Sequence, residues 1–369
     1  MINEKRLLEE FLELVQIDSH SSKEGKIAKV LVKKLEDLGL EVTQDDAGEK
    51  VGGETGNIIA HLKGDKPGDP ILFSCHMDTV KPGEGIKPEI RDGVIYSDGT
   101  TILGSDDKAG IASVLEGIKQ IKEQKKSHRD IQVVFSIWEE GGLFGSKNLD
   151  FSKVNAEYGF VLDSAGSSGE IVTQGPTQDS LKVTIHGRPA HAGLAPEEGI
   201  SAIMVAAKAI ENMKLLRVDE DTTANIGVVT GGEATNVVMP KLEIKAEARS
   251  SREDKVEAQT NHMIEVFEKT AEEMGATVDI EHERVYPPFN IPEDHEIVQK
   301  TKEAFKNIGI EGKTASTGGG SDTNIFNGNG VTSLNLGVGM KKPHTLEEHI
   351  SIEDLNNTAK VTFQLMTIF

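Results

Sequence analysis

Hydrophobic positions in the first half of the chain alternate between helical spacing and short continuous runs. Two amphipathic helices are predicted near the start, from apolar residues at Leu7, Leu8, Phe11, Leu12 and Val15 and then at Ile27, Val30, Leu31 and Leu35. Continuous apolar runs follow at 71–78, 131–140 and 158–164, and each ends in polar residues. The first two runs are separated by a helical pattern with one apolar face, at Ile111, Val114, Leu115, Ile118 and Ile121. Buried strands that alternate with helices predict an α/β domain whose mostly parallel sheet is flanked by helices.

The middle of the chain has a different order of elements. Strand patterns at 180–187, 224–230, 242–249 and 276–284 are combined with a helix from about Pro196 to Met213 and a helix at 253–274. The order β-α-β-β-α-β is that of a ferredoxin-like unit. The Pro-rich segment 285–292 ends it, and helices near 294–307 and 353–366, with a strand at 331–339, resume the first pattern. We therefore predict one α/β domain, residues 1–178 and 287–369, interrupted by an inserted domain, residues 179–286.

Composition and charge narrow the class of protein. The 369 residues are 37% hydrophobic and 27% charged, as in ordinary globular proteins. The net charge of −21 disfavours nucleic acid and anionic membranes as partners, and it suits a protein that gathers cations, although solubility alone also explains it. The single cysteine, Cys75, excludes an intrachain disulfide, and no signal-peptide core or membrane-length apolar window is found. We expect a cytoplasmic protein without nucleic-acid or membrane partners.

Side chains of types that can bind metals lie at the ends of two of the predicted elements. His76 and Asp78 end the first apolar run, and in an extended segment they point to the same side, so that Asp78 can brace a metal-bound imidazole. Asp106 and Asp107 precede the helix that starts near Ala109. Helix capping alone explains such a pair. In the alternative, Asp107 caps the helix and Asp106 bridges two metals with its two carboxylate oxygens.

Further metal-type residues end the other runs. Glu139 and Glu140 follow a central strand, where two unpaired carboxylates are costly to bury, unless the strand simply leaves into solvent. Because adjacent side chains diverge, one glutamate can bind a metal while the other acts as general base on a water. Asp163 ends the third run, and His344 follows a fourth. Histidine and carboxylate ligands without cysteine favour zinc, with cobalt and manganese as alternatives.

Seven motifs occur in an order that resembles the zinc-dependent exopeptidase and aminoacylase family. This family includes peptidase T, acetylornithine deacetylase, succinyl-diaminopimelate desuccinylase and the glutamate carboxypeptidases. The motifs span nearly the whole chain and are SCHMDTV (74–80), DGTTILGSDDKAGIA (98–112), WEEGG (138–142), the Asp in VLDSAG, GRPAHAG (187–193), GGGSDTN (318–324) and PHTLEEHI (343–350). The segment 98–112 is most similar to peptidase T, the aminotripeptidase branch.

The resemblance implies a role for each motif residue. It implies two divalent metals with ligands at His76, Asp106 (bridging), Glu140, Asp163 and His344. It also implies that Asp78 orients His76 and that Glu139 is the general base, and the order within the glutamate pair rests on the resemblance alone. The inserted domain would be a lid or dimerisation domain. Substrate contacts would come from His191, which stabilises an oxyanion, from Asn236 and Arg249, and from backbone N–H groups around Gly319.

The function implied is that of an aminopeptidase acting on tripeptides, with a short peptide as substrate and a homodimer formed through the inserted domain. One alternative is an N-acyl-amino-acid amidohydrolase or a glutamate-type carboxypeptidase that uses the same site. A more remote alternative is a catalytically inactive metal-binding protein. The chain departs from typical peptidase T in a shorter segment between 80 and 98, in the residues after Glu140, and in the run RSSRED at 249–254. These departures concern tripeptide specificity rather than the metal site.

Overall fold

The computed structural model describes residues 2–369, which form two compact units. Unit 1 comprises the described residues up to Gln174, Asn290–Ser316 and Ser321–Phe369, and unit 2 comprises Gly175–Phe289 and Thr317–Gly320. In residues 2–369, no helix combines the length and the apolar character that crossing a membrane requires. The predicted roles of the domains, metal binding by one and a lid or dimerisation role for the other, stay predictions.

The secondary structure of residues 2–369 consists of ten α-helices, two short 3₁₀ helices and seventeen strands. The α-helices are α1 (Glu4–Val15), α2 (Gly25–Asp37), α3 (Ala47–Val51), α4 (Ser105–Gln124), α5 (Phe144–Lys147), α6 (Ala202–Glu211), α7 (Glu253–Glu273), α8 (Glu296–Asn307), α9 (Asp322–Gly328) and α10 (Ile352–Ile368). The 3₁₀ helices are Phe151–Lys153 and Pro196–Glu198. The strands are β1 (Glu41–Gln44), β2 (Ile58–Leu62), β3 (Ile71–His76), β4 (Glu89–Arg91), β5 (Val94–Tyr96), β6 (Ile131–Ser136), β7 (Tyr158–Ser164), β8 (Glu170–Gly175), β9 (Thr177–His186), β10 (Leu216–Arg217), β11 (Thr222–Gly231), β12 (Lys241–Ser250), β13 (Thr277–Tyr286), β14 (Phe289–Asn290), β15 (Lys313–Ser316), β16 (Thr332–Gly337) and β17 (His349–Ser351).

The main sheet of unit 1 is parallel at its centre. Strands β1-β2-β6-β3-β7-β16-β8 lie side by side in this order, and β6, β3, β7 and β16 are parallel to their neighbours within that group. Strands β3 and β6 are buried at every position, which explains why they are continuous apolar runs rather than alternating ones. The carboxyl ends of the four parallel strands therefore meet at one edge, where residues that follow different strands come together.

Helix α4 packs against this sheet and is buried along most of its length, including the predicted apolar face. Its regular part begins only after Asp107, because the backbone angles of Asp106 and Asp107 are not helical. The Oδ1 atom of Asp107 accepts a hydrogen bond from the Gly110 N–H at 3.2 Å. Asp107 thus caps the regular helix, and Asp106 lies outside its hydrogen-bonded turns.

Unit 2 contains an antiparallel sheet with the strand order β10-β11-β12-β9-β13. Apart from the two-residue β10, the four long strands have the spatial order 2-3-1-4, and with α6 and α7 they form the predicted ferredoxin-like unit. Alternate residues of β9, among them Leu181, Val183 and Ile185, pack in one hydrophobic core with Met263 and Phe267 of α7. This alternation is what a half-buried strand requires.

The predicted helix from about Pro196 to Met213 is wrong at its start. Pro196 begins a 3₁₀ turn, and the α-helix begins at Ala202. Between them, Arg188 and Ile200 exchange two backbone hydrogen bonds of 2.9 Å, which hold the chain extended before the helix. A proline at the first position of a turn fits either helix type, so the sequence pattern placed the start too early.

Candidate metal centre

The five predicted metal ligands lie at the carboxyl edge of the parallel strands in unit 1. His76 is the last residue of β3, Asp163 lies near the end of β7, and Glu140 follows β6. Asp106 lies at the start of α4, and His344 lies in the loop between β16 and β17. Five segments that are distant in the sequence thus present histidine and carboxylate side chains to one place.

Asp106 is the centre of this cluster. Its Oδ1 atom lies 2.9 Å from His76 Nε2, and its Oδ2 atom lies 3.3 Å from His344 Nε2. His76 Nε2 is also 3.5 Å from Asp163 Oδ1, and His344 Nε2 is 2.8 Å from Glu140 Oε1. Each carboxylate oxygen of Asp106 therefore faces a different histidine, and this is the arrangement that a bridging carboxylate needs.

Potential ligand atoms within 4.8 Å of one another form two groups in residues 2–369, namely His76 with Asp106 and Glu140, and His76 with Asp107 and Asp163. Asp107 was not predicted as a ligand. Both of its oxygens already accept backbone hydrogen bonds, from His76 N at 3.3 Å and from Gly110 N at 3.2 Å. We therefore interpret Asp107 as the side chain that ties the end of β3 to the start of α4.

Asp78 contacts the backbone of the glutamate pair as well as the imidazole of His76, which it was predicted to orient. The His76 Nδ1 atom lies 3.0 Å from the backbone carbonyl oxygen of Asp78 and 3.5 Å from its carboxylate. The buried carboxylate accepts shorter hydrogen bonds, from Ser21 Oγ at 2.6 Å and Glu139 N at 2.9 Å, and a further one from Glu140 N at 3.2 Å. The carboxylate of Asp78 therefore fixes the backbone of the glutamate pair, and its carbonyl group fixes the ring.

Glu24 is a buried residue of this site that sequence reasoning missed. Its Oε1 atom accepts hydrogen bonds of 2.9 Å from Ser22 N and from Trp138 N. Trp138 directly precedes the glutamate pair and has a positive φ of 47°, which is uncommon for a bulky residue. Burial, together with the nearby charge of Asp78, raises the pKa of Glu24 to about 7. Glu24 thus supports the strained turn that presents the two glutamates.

Lys108 is a second buried residue that the sequence did not mark. Its ammonium group donates hydrogen bonds to Ser19 Oγ at 2.8 Å and to the carbonyl oxygen of Met77 at 2.7 Å. Burial lowers the pKa of Lys108 to about 8. The side chain connects α4, the segment after β3 and the loop before α2, so it belongs to the scaffold behind the cluster rather than to the cluster itself.

The electrostatics of the cluster fit a site for cations. Burial raises the pKa of Asp163 to about 7 and that of Glu139 well above its usual range, because the carboxylates are removed from water. Neighbouring carboxylates raise both pKa values further. Hydrogen bonds to Asp106 and Glu140 raise the pKa of His344 to about 10. Divalent metals would compensate this crowding of negative charge, and the imidazole and carboxylate donors are ligands that zinc accepts.

The model of the peptidase family M20/M25/M40 matches residues 72–367 of the chain. The chain belongs to this family. The M20/M25/M40 match covers the segments that carry all five predicted ligands, and the predicted resemblance to a dinuclear zinc exopeptidase family is confirmed at the level of the family. The chain is therefore a metallopeptidase of this family, and the clustered histidines and carboxylates are candidate metal ligands.

Whole-length relatives support the same assignment. The aminopeptidase PepT from Bacillus cereus is 48% identical, with a TM-score of 0.92, and the match covers 100% of this chain and 99% of that one. A tripeptidase from Staphylococcus aureus is 43% identical, with a TM-score of 0.96 and the same coverage. The uncharacterized protein YqjE from Bacillus subtilis is 47% identical, and the match covers 99% of both chains. Proteins named aminopeptidase PepT and tripeptidase thus share the entire fold with this chain.

The predicted substrate residues lie in unit 2. His191 is exposed, and its Nδ1 atom accepts a hydrogen bond from Gly193 N at 3.2 Å. The carbonyl oxygen of Asn236 accepts a hydrogen bond from Ala192 N at 2.9 Å, so the segments of these two predicted residues are adjacent. The guanidinium of Arg249 donates two hydrogen bonds of 3.0 Å to the carboxylate of Glu247, its neighbour two residues away.

Gly319 is exposed, and its N–H donates to Thr317 Oγ1 at 3.1 Å. Arg249 and Gly319 thus both donate hydrogen bonds within unit 2. A substrate carboxylate would share the guanidinium of Arg249 with Glu247 and would have to compete with Thr317 for the N–H of Gly319. The substrate-binding roles of His191, Asn236, Arg249 and Gly319 stay predictions for this member of the M20/M25/M40 family.

Proposed function

We propose that this metallopeptidase is an aminopeptidase that hydrolyses tripeptides with the help of two zinc ions. The observation that carries the proposal is the position of Asp106, whose two oxygens face His76 and His344 separately. The names of the whole-length relatives, aminopeptidase PepT and tripeptidase, support the choice of substrate.

In this proposal the carboxylate of Asp106 would serve both metals. His76 and Asp163 would help to hold one of them, and Glu140 and His344 the other, in line with the distances between these side chains. Bound zinc would polarise the scissile carbonyl and lower the pKa of an attacking water to about 7. Cobalt and manganese accept the same donors and remain alternatives to zinc.

Glu139 is the proposed general base. Its backbone N–H is fixed by the carboxylate of Asp78 at 2.9 Å, and its side chain is buried beside the cluster. Burial and the charge of Asp163 raise the pKa of Glu139. Glu139 takes a proton from the attacking water and then transfers it to the leaving amine.

A substrate panel with removal of metal tests this function. We expect the purified protein to release the N-terminal residue from Ala-Ala-Ala, to lose this activity in a chelator, and to regain it on addition of zinc, cobalt or manganese. The N-acetylated tripeptide should be a poor substrate, since an aminopeptidase requires the free amine. Chromatography of the products measures both reactions. Turnover of acetylated or C-terminal glutamate substrates without turnover of any free tripeptide would favour the amidohydrolase or carboxypeptidase alternatives.

We also propose that the protein forms a homodimer through β11 of unit 2 and works in the cytoplasm. Strand β11 pairs with β12 over its whole length, but on its other side β10 pairs only with Thr223 and Ala224. Val228 and Val229, farther along β11, are about half exposed, and a long apolar edge of this kind invites pairing with a second chain. The one cysteine of the chain is a free, buried thiol, as suits a reducing compartment.

Val228→Lys is expected to convert the dimer into a monomer, because a charged side chain on the edge strand blocks strand pairing. Sedimentation equilibrium measures the mass of the wild type and of the variant. Ile90→Lys is a matched control, since Ile90 is an exposed apolar strand residue in unit 1. A monomeric wild type, or a Val228→Lys variant that remains dimeric, would refute the proposed interface.

A further inference from the structure

Glu348 is a buried carboxylate to which the sequence analysis assigned no role. The residue is 1% exposed and lies just before β17. Its Oε2 atom accepts hydrogen bonds of 2.9 Å from both Leu103 N and Gly104 N. Its Oε1 atom accepts hydrogen bonds from Ser105 Oγ at 2.6 Å and from Asp106 N at 3.2 Å. One carboxylate thus binds four consecutive residues of the segment that ends in Asp106.

The four donors satisfy what a buried anion requires. A carboxylate removed from water is costly unless charge-assisted hydrogen bonds replace its hydration, and both of its oxygens are used here. The contacts made by Glu348 are also directional, because three of the four donors are backbone N–H groups. The position of the carboxylate therefore fixes the path of the backbone that presents the Asp106 side chain.

Glu348 also belongs to the loop that carries His344. Lys341 and His349 exchange two backbone hydrogen bonds, of 2.8 and 3.1 Å, which close this loop at its base. Within the loop, Glu348 N donates to the carbonyl oxygen of Thr345 at 3.1 Å. His344 itself is half exposed and has a positive φ of 63°. A side chain on an exposed loop needs an anchor if it is to meet the buried Asp106 at a fixed distance.

We propose that Glu348 is a positioning residue that ties the His344 loop to the Asp106 segment and thereby sets the affinity for the metal held by Asp106, Glu140 and His344. This inference rests on the proposed two-metal function. Glu348 touches neither the metal nor the substrate in this proposal. It acts through the two ligands whose backbones it holds together, in the way that outer contacts commonly orient metal ligands.

Glu348→Gln is the most direct test. Glutamine keeps the shape of the side chain and one acceptor oxygen, but its NH₂ group would face either the N–H of Asp106 or those of Leu103 and Gly104. Equilibrium dialysis against zinc, with metal counted by mass spectrometry, measures the two binding steps. We expect one step to lose about 10- to 100-fold in affinity and the other to lose clearly less, because His344 serves one metal whereas Asp106 serves both.

Two further variants serve as controls. Glu347→Gln changes the adjacent glutamate, which is exposed and pairs with Lys342, so both binding steps should equal those of wild type. Glu348→Asp keeps the charge on a shorter side chain, and we expect it to restore part of the lost affinity. It also decides the question if Glu348→Gln does not fold. The melting temperature of each metal-free variant shows whether a change in affinity reflects general loss of stability.

The outcomes separate this inference from the proposed function. If wild type binds two metals and a folded Glu348→Gln protein binds both with unchanged affinity, the role of Glu348 is refuted and the proposed function stands. If Glu348→Gln does not fold, unchanged affinity of Glu348→Asp has the same meaning. Equal weakening of both steps together with a lower melting temperature of the metal-free protein also refutes it, since the residue would then be merely structural. If wild type binds no metal, the proposed function fails and the role of Glu348 fails with it.

Discussion

Glu139→Gln is expected to lower kcat on a tripeptide by about 10²- to 10⁴-fold while leaving the metal content unchanged. Glutamine has the same shape as glutamate but cannot accept a proton from water. The hydrogen bond from the residue 139 N–H to Asp78 is made by the backbone, so the variant retains it. Glu139 is also absent from both groups of potential ligands found in residues 2–369. Steady-state kinetics, metal analysis and the melting temperature together measure this prediction.

Glu140→Gln is the matched comparison for this prediction. Glu140 Oε1 lies 2.8 Å from His344 Nε2, and the residue belongs to a candidate ligand group, so this variant should lose metal as well as activity. The order of roles within the glutamate pair was taken from the family resemblance alone. If Glu139→Gln lost metal and Glu140→Gln kept it, the two roles would be reversed. A Glu139→Gln protein with full activity would exclude a general base at this position.

The central sheet of unit 1 could be predicted because its central strands have a simple hydrophobic pattern. Strands β3 and β6 are buried at every position, so each is a continuous apolar run. The short strands β4 and β17 could not be found in the same way. All of β4 is exposed, and the three residues of β17 include only one buried position. Strand β17 pairs with β5 across a long sequence separation, which no local pattern indicates, whereas β4 is joined to β5 by the two-residue connection at 92–93.

The cluster of predicted ligands was accessible to sequence reasoning for a related reason. Parallel strands bring their carboxyl ends to one edge, so the metal-type residues His76, Glu140 and Asp163, which end or follow such strands, could be expected to meet there. His344 lies in a longer loop after a fourth apolar run, and it was included because it is one of several metal-type side chains that follow such runs. The geometry around Asp106 then adds what the sequence lacked, namely which of its two oxygens faces which histidine.

The residues behind the cluster could not be predicted from the sequence. Glu24 and Glu348 are ordinary glutamates in their local contexts, one at the start of a helix and one in a polar loop. Most of the donors to these two carboxylates are backbone N–H groups, including those of Trp138 and Asp106, which are far away along the chain. Every residue except proline offers a backbone N–H, so the sequence of side chains does not indicate which residues will donate these hydrogen bonds. Buried carboxylates of this kind become visible only once the fold is known.

Asp106→Asn is expected to remove at least one metal per chain and to lower kcat/KM by about 10³-fold, which corresponds to several kcal/mol of lost transition-state stabilisation. Asparagine offers one acceptor oxygen, so it can serve a single metal, and its NH₂ group would face the other histidine. Burial opposes the charged form of Asp106, but hydrogen bonds to His344 and His76 lower the pKa of its carboxyl group, and asparagine would remove the negative charge that both histidines face. Metal analysis after dialysis measures the stoichiometry, and tripeptide kinetics measure the activity.

Asp98→Asn is the control for this substitution, because Asp98 pairs with Lys87 outside the cluster and should retain both metals and full activity. The contrast between the two variants distinguishes a bridging carboxylate from a general effect of negative charge near the site. An Asp106→Asn protein that keeps two metals would show that the carboxylate does not bridge them. In that case His76 and His344 would belong to independent sites, and the joint activation of one water between two metals would have to be abandoned.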